Sequence, residues 1–193
     1  MSDSVFRFLC LPAFALTLLT GSLNATTLRT MTEDEQIQKA DTIFRGRAEQ
    51  IDAAFESSAN GRAIVTTVRF TPLTVYKGAA ESSVSLKFVG GKVGDVEMKV
   101  GGMPQFVVGQ EYILFVSATG NAVCPVVGWV EGSLKVDRRS NAAGVVSVSR
   151  DVTGSAEPAV SARSRSVLTD GETKLPDFEK RLRERIARMG AKP

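Results

Sequence analysis

The stretch from Ala40 to Val116 constrains the chain most, because it reads as successive β-strands broken by glycines in a fixed order. It opens A-D-T-I-F-R-G-R-A at Ala40–Ala48 and runs through T-T-V-R-F-T-P-L-T-V-Y-K-G at Thr66–Gly78. It continues V-S-L-K-F-V-G-G at Val84–Gly91 and closes G-Q-E-Y-I-L-F-V at Gly109–Val116. Ile64, Thr66, Val68 and Phe70 alternate with Val65, Thr67, Arg69 and Thr71, the pattern of a strand with one face buried. Pro72 removes a ladder donor, so this strand is expected to bend there or to lie on an edge. Gly46, inside the first strand, predicts a bulge. Strands of this kind, cornered by glycines and bulges, point to a small, twisted, closed sheet.

The first residues belong to a different pattern. Phe8–Leu23 is apolar and uncharged, with Arg7 before it and L-N-A after it. The run is shorter than the about 20 apolar residues that a membrane-spanning helix needs, so residues 1–25 are expected to be a secretory signal peptide cut after Ala25. The protein is therefore expected to be secreted or periplasmic. Cys10 falls within that run, which leaves Cys124 as the sole cysteine of the mature chain and rules out an intramolecular disulfide. Its setting, A-V-C-P-V-V-G-W, predicts a buried thiol that packs as a small hydrophobe.

Further along, Thr32 and Glu35 form a capping box that starts a helix over Glu33–Ala40, and the early acids Glu33, Asp34 and Glu35 suit its dipole. Strands are expected at Asp41–Phe55, with Ile43, Phe44, Ala48 and Ile51 in the core, and at Ile64–Val75, with a turn over Glu56–Arg62 between them. Val84–Val89, Tyr112–Val116, Val123–Val130, Ser133–Val136 and Val145–Val148 follow, with Trp129 plugging one end of the core. Val96, Met98 and Val100 alternate with Glu97 and Lys99, which predicts a hairpin arm before the loop G-G-M-P. The many glycines of this passage match neither a Walker loop nor a dinucleotide fingerprint and are expected to serve turns. Arg150–Thr173 holds few large apolar groups and reads as a flexible linker. Leu175–Met189 reads as an amphipathic helix, with Pro176 in its first turn and Phe178, Leu182, Ile186 and Met189 on one stripe. The expected organisation is a signal peptide (1–25), a β-barrel domain (26–149), a linker (150–173) and a C-terminal helix (174–193): an all-β fold with accessory helices.

The chemistry is sparse. The chain has no histidine, which removes the commonest general base and the commonest zinc ligand together. The clusters Glu33–Asp34–Glu35 and Asp95/Glu97 are explained by helix capping and a solvent-facing strand. No enzyme activity, cofactor or metal is expected. Phe44, Phe70, Phe88 and Phe115 sit at core-like strand positions and are not interleaved with lysine and arginine, which argues against nucleic-acid binding. The net charge of +3 is concentrated in Arg163–Arg188 and reads as solvation. The basic C-terminal helix is expected to pack on the barrel in preference to a membrane surface.

The order of these segments resembles the bacterial, TIMP-like branch of the OB-fold, related to the N-terminal domain of tissue inhibitors of metalloproteinases and to netrin-type modules. Ala40–Ala48, V-Y-K-G at Val75–Gly78, V-G-G at Val89–Gly91 and G-x-P-x-F-x-x-G-x-E-Y-I-L-F at Gly102–Phe115 carry the resemblance, over roughly Thr27–Asp137. It implies a five-stranded Greek-key barrel that binds through one face and its loops. In the animal inhibitors an N-terminal cysteine chelates the target's zinc. The corresponding residues here are Thr26, Thr27 and Leu28, with no cysteine among them. The resemblance makes these three binding candidates, and the glycine-rich loops add Lys92, Asp95, Met103 and Pro104. The expected function is a secreted, non-catalytic module that binds another secreted or envelope protein, as inhibitor or accessory factor of an extracellular protease. The alternative is an envelope structural protein with no defined ligand.

Overall fold

The computed structural model describes residues 31–58, 61–121, 123–138, 145–148 and 173–190. Helix α1 (Glu33–Lys39) starts at the expected capping box: the Glu35 amide donates to the Thr32 hydroxyl at 3.2 Å, and the Thr32 amide donates to the Glu35 carboxylate at 2.9 Å. The Lys77 ammonium closes the other end, donating to the carbonyls of Ile37 and Ala40 at 2.7 and 2.6 Å. A cation is favoured there by the helix dipole.

Strands β1 (Thr42–Ser58) and β2 (Gly61–Lys77) form an antiparallel hairpin. It outruns the expected turn at Glu56–Arg62, because Glu56 and Ser57 pair with Ala63 and Arg62. A ribbon exposed on its flanks can extend its ladder with polar residues at no burial cost. The bulge is present, with a register shift between Arg45 and Gly46. β3 (Val84–Val89) pairs only with Val65–Phe70. Pro72 lies beyond that pairing, opposite Gly46 of β1, and so occupies the expected edge. Gly78, just after β2, has φ +70°, and a Cβ there would collide with the Asp41 carbonyl oxygen. Only glycine fits this approach.

β4 (Gly91–Val93) and β5 (Val96–Met98) form a two-stranded sheet of their own. β6 (Glu111–Asn121) pairs with β1, β7 (Cys124–Val126) and β8 (Ser133–Asp137). β9 (Val145–Val148) and β10 (Thr173–Lys174) extend the sheet, giving the order β10-β9-β8-β6-β1-β2-β3 with β7 beside β6. The strand expected over Val123–Val130 stops at Val126. Gly128 and Trp129 both have left-handed backbone, with φ +73° and +57°, and Trp129–Gly132 is a 3-10 turn. Successive left-handed residues break the extended chain, and Trp129 ends half-buried at the rim of the core instead of plugging it. Residues 1–30 and 150–172, expected to hold the signal peptide and most of the linker, lie outside the described residues, whereas Thr173 pairs with Val146.

Both faces of the first half of β1 and of β6 over residues 111–116 are covered. On one face Ile43, Ile113 and Phe115 pack with Ile37 of α1 and with Phe178 and Leu182 of helix α2 (Leu175–Gly190). On the other, Phe44, Tyr112 and Leu114 pack with Val68, Phe70 and Phe88. Leu182 and Phe178 are fully buried, with Ile186 and Met189 packed beside them, so the apolar stripe of α2 lies on the sheet. Among the described residues no helix is long and apolar enough to cross a membrane.

Phe115→Ala and Phe178→Ala are each expected to cost about 3–5 kcal/mol in urea unfolding. A loss below about 1 kcal/mol for Phe178→Ala, the size of a surface substitution, would mean that α2 is peripheral to the fold.

Candidate functional site

Residues directly opposite in an antiparallel pair share a face, so Ile51/Val68, Ala53/Thr66 and Phe55/Ile64 line one face of the β1–β2 hairpin. Val68 and Ile51 on this face continue the Phe44–Phe70 core outward. The β4–β5 hairpin lies over this face. The Thr66 hydroxyl donates to the Gly90 carbonyl at 2.6 Å, and the Gly90 amide donates to the Ile64 carbonyl at 2.8 Å. At Gly91 (φ +126°) a Cβ would strike the Thr66 hydroxyl, which is how closely the two layers approach.

Between the two hairpins and the segment 99–106 lies an open cleft of 110 Å³. Ile51, Val68, Phe88, Met98, Val100, Met103, Pro104 and Phe106 contribute apolar side chains to its lining, while Thr66, Glu97, Lys99, Gln105 and residues 89–91 also line it, and the surface it exposes is more polar than apolar. Glu97 and Lys99 pair at 3.4 Å. Phe106 joins the cleft to the core, its ring centroid 5.0 Å from Phe88, 5.2 Å from Phe70 and 5.0 Å from Tyr112. The Val107 amide donates to the Tyr112 hydroxyl at 2.9 Å, and the Val130 amide to the Gly102 carbonyl at 3.1 Å, which holds the segment at both ends. Pockets for drug-sized ligands run to about 300–1,000 Å³, and an apolar cavity of about 150 Å³ takes one benzene. A cleft of 110 Å³ therefore matches one aliphatic side chain or a small ring.

The structure divides the sequence-based candidates. Met103, 6% exposed, and Pro104, buried, form one wall of the cleft. Lys92 and Asp95 are both exposed on the β4–β5 hairpin, Lys92 in register with Glu97 and Asp95 at the turn, and neither lines the cleft. Thr26, Thr27 and Leu28 lie outside the described residues. Ile51, Thr66, Phe88 and Phe106 were missed as site residues. Their signal is that of core and strand positions, since an apolar cleft wall uses the same residue types as a core.

Asp95 and Glu97 are exposed, as expected of a solvent-facing strand, whereas the Glu33–Asp34–Glu35 cluster does more than cap α1. Glu33 is 5% exposed and lies 4.0 Å from Arg181 and 3.9 Å from Arg185 of α2, and Asp34 pairs with Arg185 at 2.8 Å. Helix capping thus accounts for Glu35, while Asp34 pairs across to α2 and Glu33 lies buried between the two helices. A second network sits where the R-G-R and G-Q-E-Y motifs meet. The Glu111 carboxylate accepts from Arg45 at 2.8 Å, Arg138 at 3.0 Å and Arg47 at 3.5 Å. Arg45 also pairs with Glu179 of α2 at 3.2 Å, and the Tyr76 hydroxyl donates to Glu179 at 2.6 Å. Burial pulls the Glu111 carboxyl upward, but hydrogen bonds and charge from Arg138 and Arg45 outweigh it and hold it below the usual carboxylate range. A carboxylate so engaged is a poor base. Burial pushes the Cys124 thiol up to about 11, so it is an unreactive core group. Among the described residues no cluster of three or more His, Cys, Asp or Glu is placed to hold a metal ion.

Because Glu111 is held ionised in the fold, its contribution is present above the ordinary carboxylate range and is lost as pH falls through its lowered value. Glu111→Gln is expected to destabilise by about 2–3 kcal/mol at pH 7, the range for hydrogen bonds to charged groups. The loss should shrink as pH falls below about 4, read from urea midpoints across pH. Compared with protein-family models, curated proteins and solved structures, the chain matches none.

Proposed function

We propose that the chain is a non-catalytic protein-binding module acting outside the cytoplasm, as inhibitor or accessory factor of an extracellular protease, and that the cleft seats one apolar side chain of its partner. The observation that carries this reading is the cleft itself: 110 Å³, lined by apolar side chains together with polar groups, continuous with the core through Phe106 and open to solvent. The resemblance to inhibitor barrels supports protein as the partner class.

Two further observations favour the reading. The sheet runs β3-β2-β1-β6 with β7 beside β6, and the Val89 amide of β3 donates at 3.0 Å to the Val123 carbonyl, just before β7. This circuit fits a closed, five-stranded OB-like barrel. The described chain also enters beside the cleft-bearing segment: the Met31 amide donates to the Glu131 carboxylate at 3.3 Å, in the same 3-10 turn whose Val130 holds Gly102. Thr26, Thr27 and Leu28 remain contact candidates in this proposal on the strength of the resemblance alone.

A photo-crosslinking residue at the exposed Gln105 is expected to give one discrete protein adduct in the secreted or periplasmic fraction, and the same residue at the exposed Glu81 none. Filling the cleft with Val100→Trp should abolish the adduct while the thermal midpoint is retained. Equal adducts at both positions, or an adduct indifferent to Val100→Trp, would remove the cleft from the function. N-terminal sequencing of the exported protein is expected to begin at Thr26, and a chain that keeps Met1 would refute cleavage after Ala25.

A further inference from the structure

We infer that the β4–β5 hairpin is a flap, hinged at the glycine pairs Gly90–Gly91 and Gly101–Gly102, that gates the cleft. The functional meaning of the gate rests on the cleft being the binding site proposed above, whereas the motion itself does not.

The flap is structurally separate. Among the described residues β4 and β5 pair only with each other, through the three pairs Gly91/Met98, Lys92/Glu97 and Val93/Val96, and join no strand of the main sheet. A lone two-stranded hairpin is marginally stable in water. Its outward residues Lys92, Asp95, Val96 and Glu97 are exposed.

The chain is held up to and at the hinges. Just outside the first, the Val89 amide donates to Val123 at 3.0 Å, and at the hinge the Gly90 amide donates to Ile64 at 2.8 Å. At the second, the Gly102 carbonyl accepts from Val130 at 3.1 Å, and the Met103 amide donates to the Val100 carbonyl at 3.2 Å across the hinge, a bond that opening strains. The pivots themselves are glycine bonds. Gly90, Gly91 and Gly102 have φ +111°, +126° and +76°, and around Gly101 there is open space. Rotation at glycine meets the least steric resistance of any residue. The Thr66 hydroxyl is the side-chain latch, donating to Gly90 at 2.6 Å at the flap's base. Met98 and Val100, on the flap side, and Met103, beyond the second hinge, line the cleft together. Lifting the flap would therefore open the wall that Met103 forms.

Native-state hydrogen exchange tests the motion without a partner. The paired amides of β4 and β5 are expected to exchange about 100-fold or more faster than those of Ile113–Phe115, at a rate insensitive to low denaturant, as local opening requires. Thr66→Val removes the latch and should speed the flap amides about 5–10-fold, leaving β6 unchanged. Met103→Cys in a Cys124→Ala background reports cleft access, and its labelling by a maleimide should accelerate in parallel with Thr66→Val. Flap amides that exchange only with global unfolding would overturn the inference. So would labelling that stays constant while flap exchange accelerates. If the cysteine variant does not fold, the exchange comparison alone decides. An adduct at Gln105 combined with a static flap would leave the binding module standing and remove only the gate, and a moving flap without any adduct would do the reverse.

Discussion

The structure depends on covering both faces of β6. Tyr112, Ile113, Leu114 and Phe115 are each at most 1% exposed, although consecutive strand residues point to opposite sides. One side is satisfied by the core around Phe44, Phe70 and Phe88 and the other by α1 and α2. Remove α2, and Ile113, Phe115 and Ile43 face water, so the C-terminal helix is a layer of the fold and not an appendage. This is also why Y-I-L-F is a continuous apolar run instead of an alternating one.

The seam between α2 and the sheet is held by charge where it is not held by Phe178 and Leu182. Arg45 reaches both Glu111 on β6 and Glu179 on α2, and the α1 pair Glu33 and Asp34 meets Arg181 and Arg185. The two buried acids respond to pH in opposite senses. Glu111 is held low by its arginines despite burial. Glu33 is pushed above the usual carboxylate range by burial, with Arg185 and Arg181 opposing and Asp34 assisting. The Glu33 contribution therefore favours the fold at acid pH and fades as pH rises through its raised value, whereas that of Glu111 fades as pH falls.

Most of the residues behind the family resemblance serve this architecture. In A-D-T-I-F-R-G-R-A, Ile43 and Phe44 fill the two cores and both arginines bind Glu111. In V-Y-K-G, Tyr76 holds Glu179, Lys77 caps α1 and Gly78 permits the approach of Asp41. The Gly109 amide donates to the Ala48 carbonyl at 2.7 Å, and the Ala48 amide to Gln110 at 3.0 Å. The cleft falls instead where the pattern is loosest, beside the glycine-rich passage whose hairpin lies over the β1–β2 face.

Local chemistry was legible in the chain. The Thr32–Glu35 capping box, the alternation of Ile64–Thr71, the Gly46 bulge, the edge at Pro72 and the burial of Cys124 each depend on a few neighbouring residues, and the described fold bears them out. Met103 and Pro104 were legible as a loop set apart by glycines. The tertiary structure alone decided the rest. Trp129 turns left-handed where the hydrophobic pattern called for strand, Glu33 faces arginines that lie far away in the chain, and Phe88 and Phe106 serve core and cleft at once. Periodicity and capping are short-range effects that the chain carries in its own order. Which apolar face stays uncovered depends on elements distant in sequence, and no local pattern encodes that.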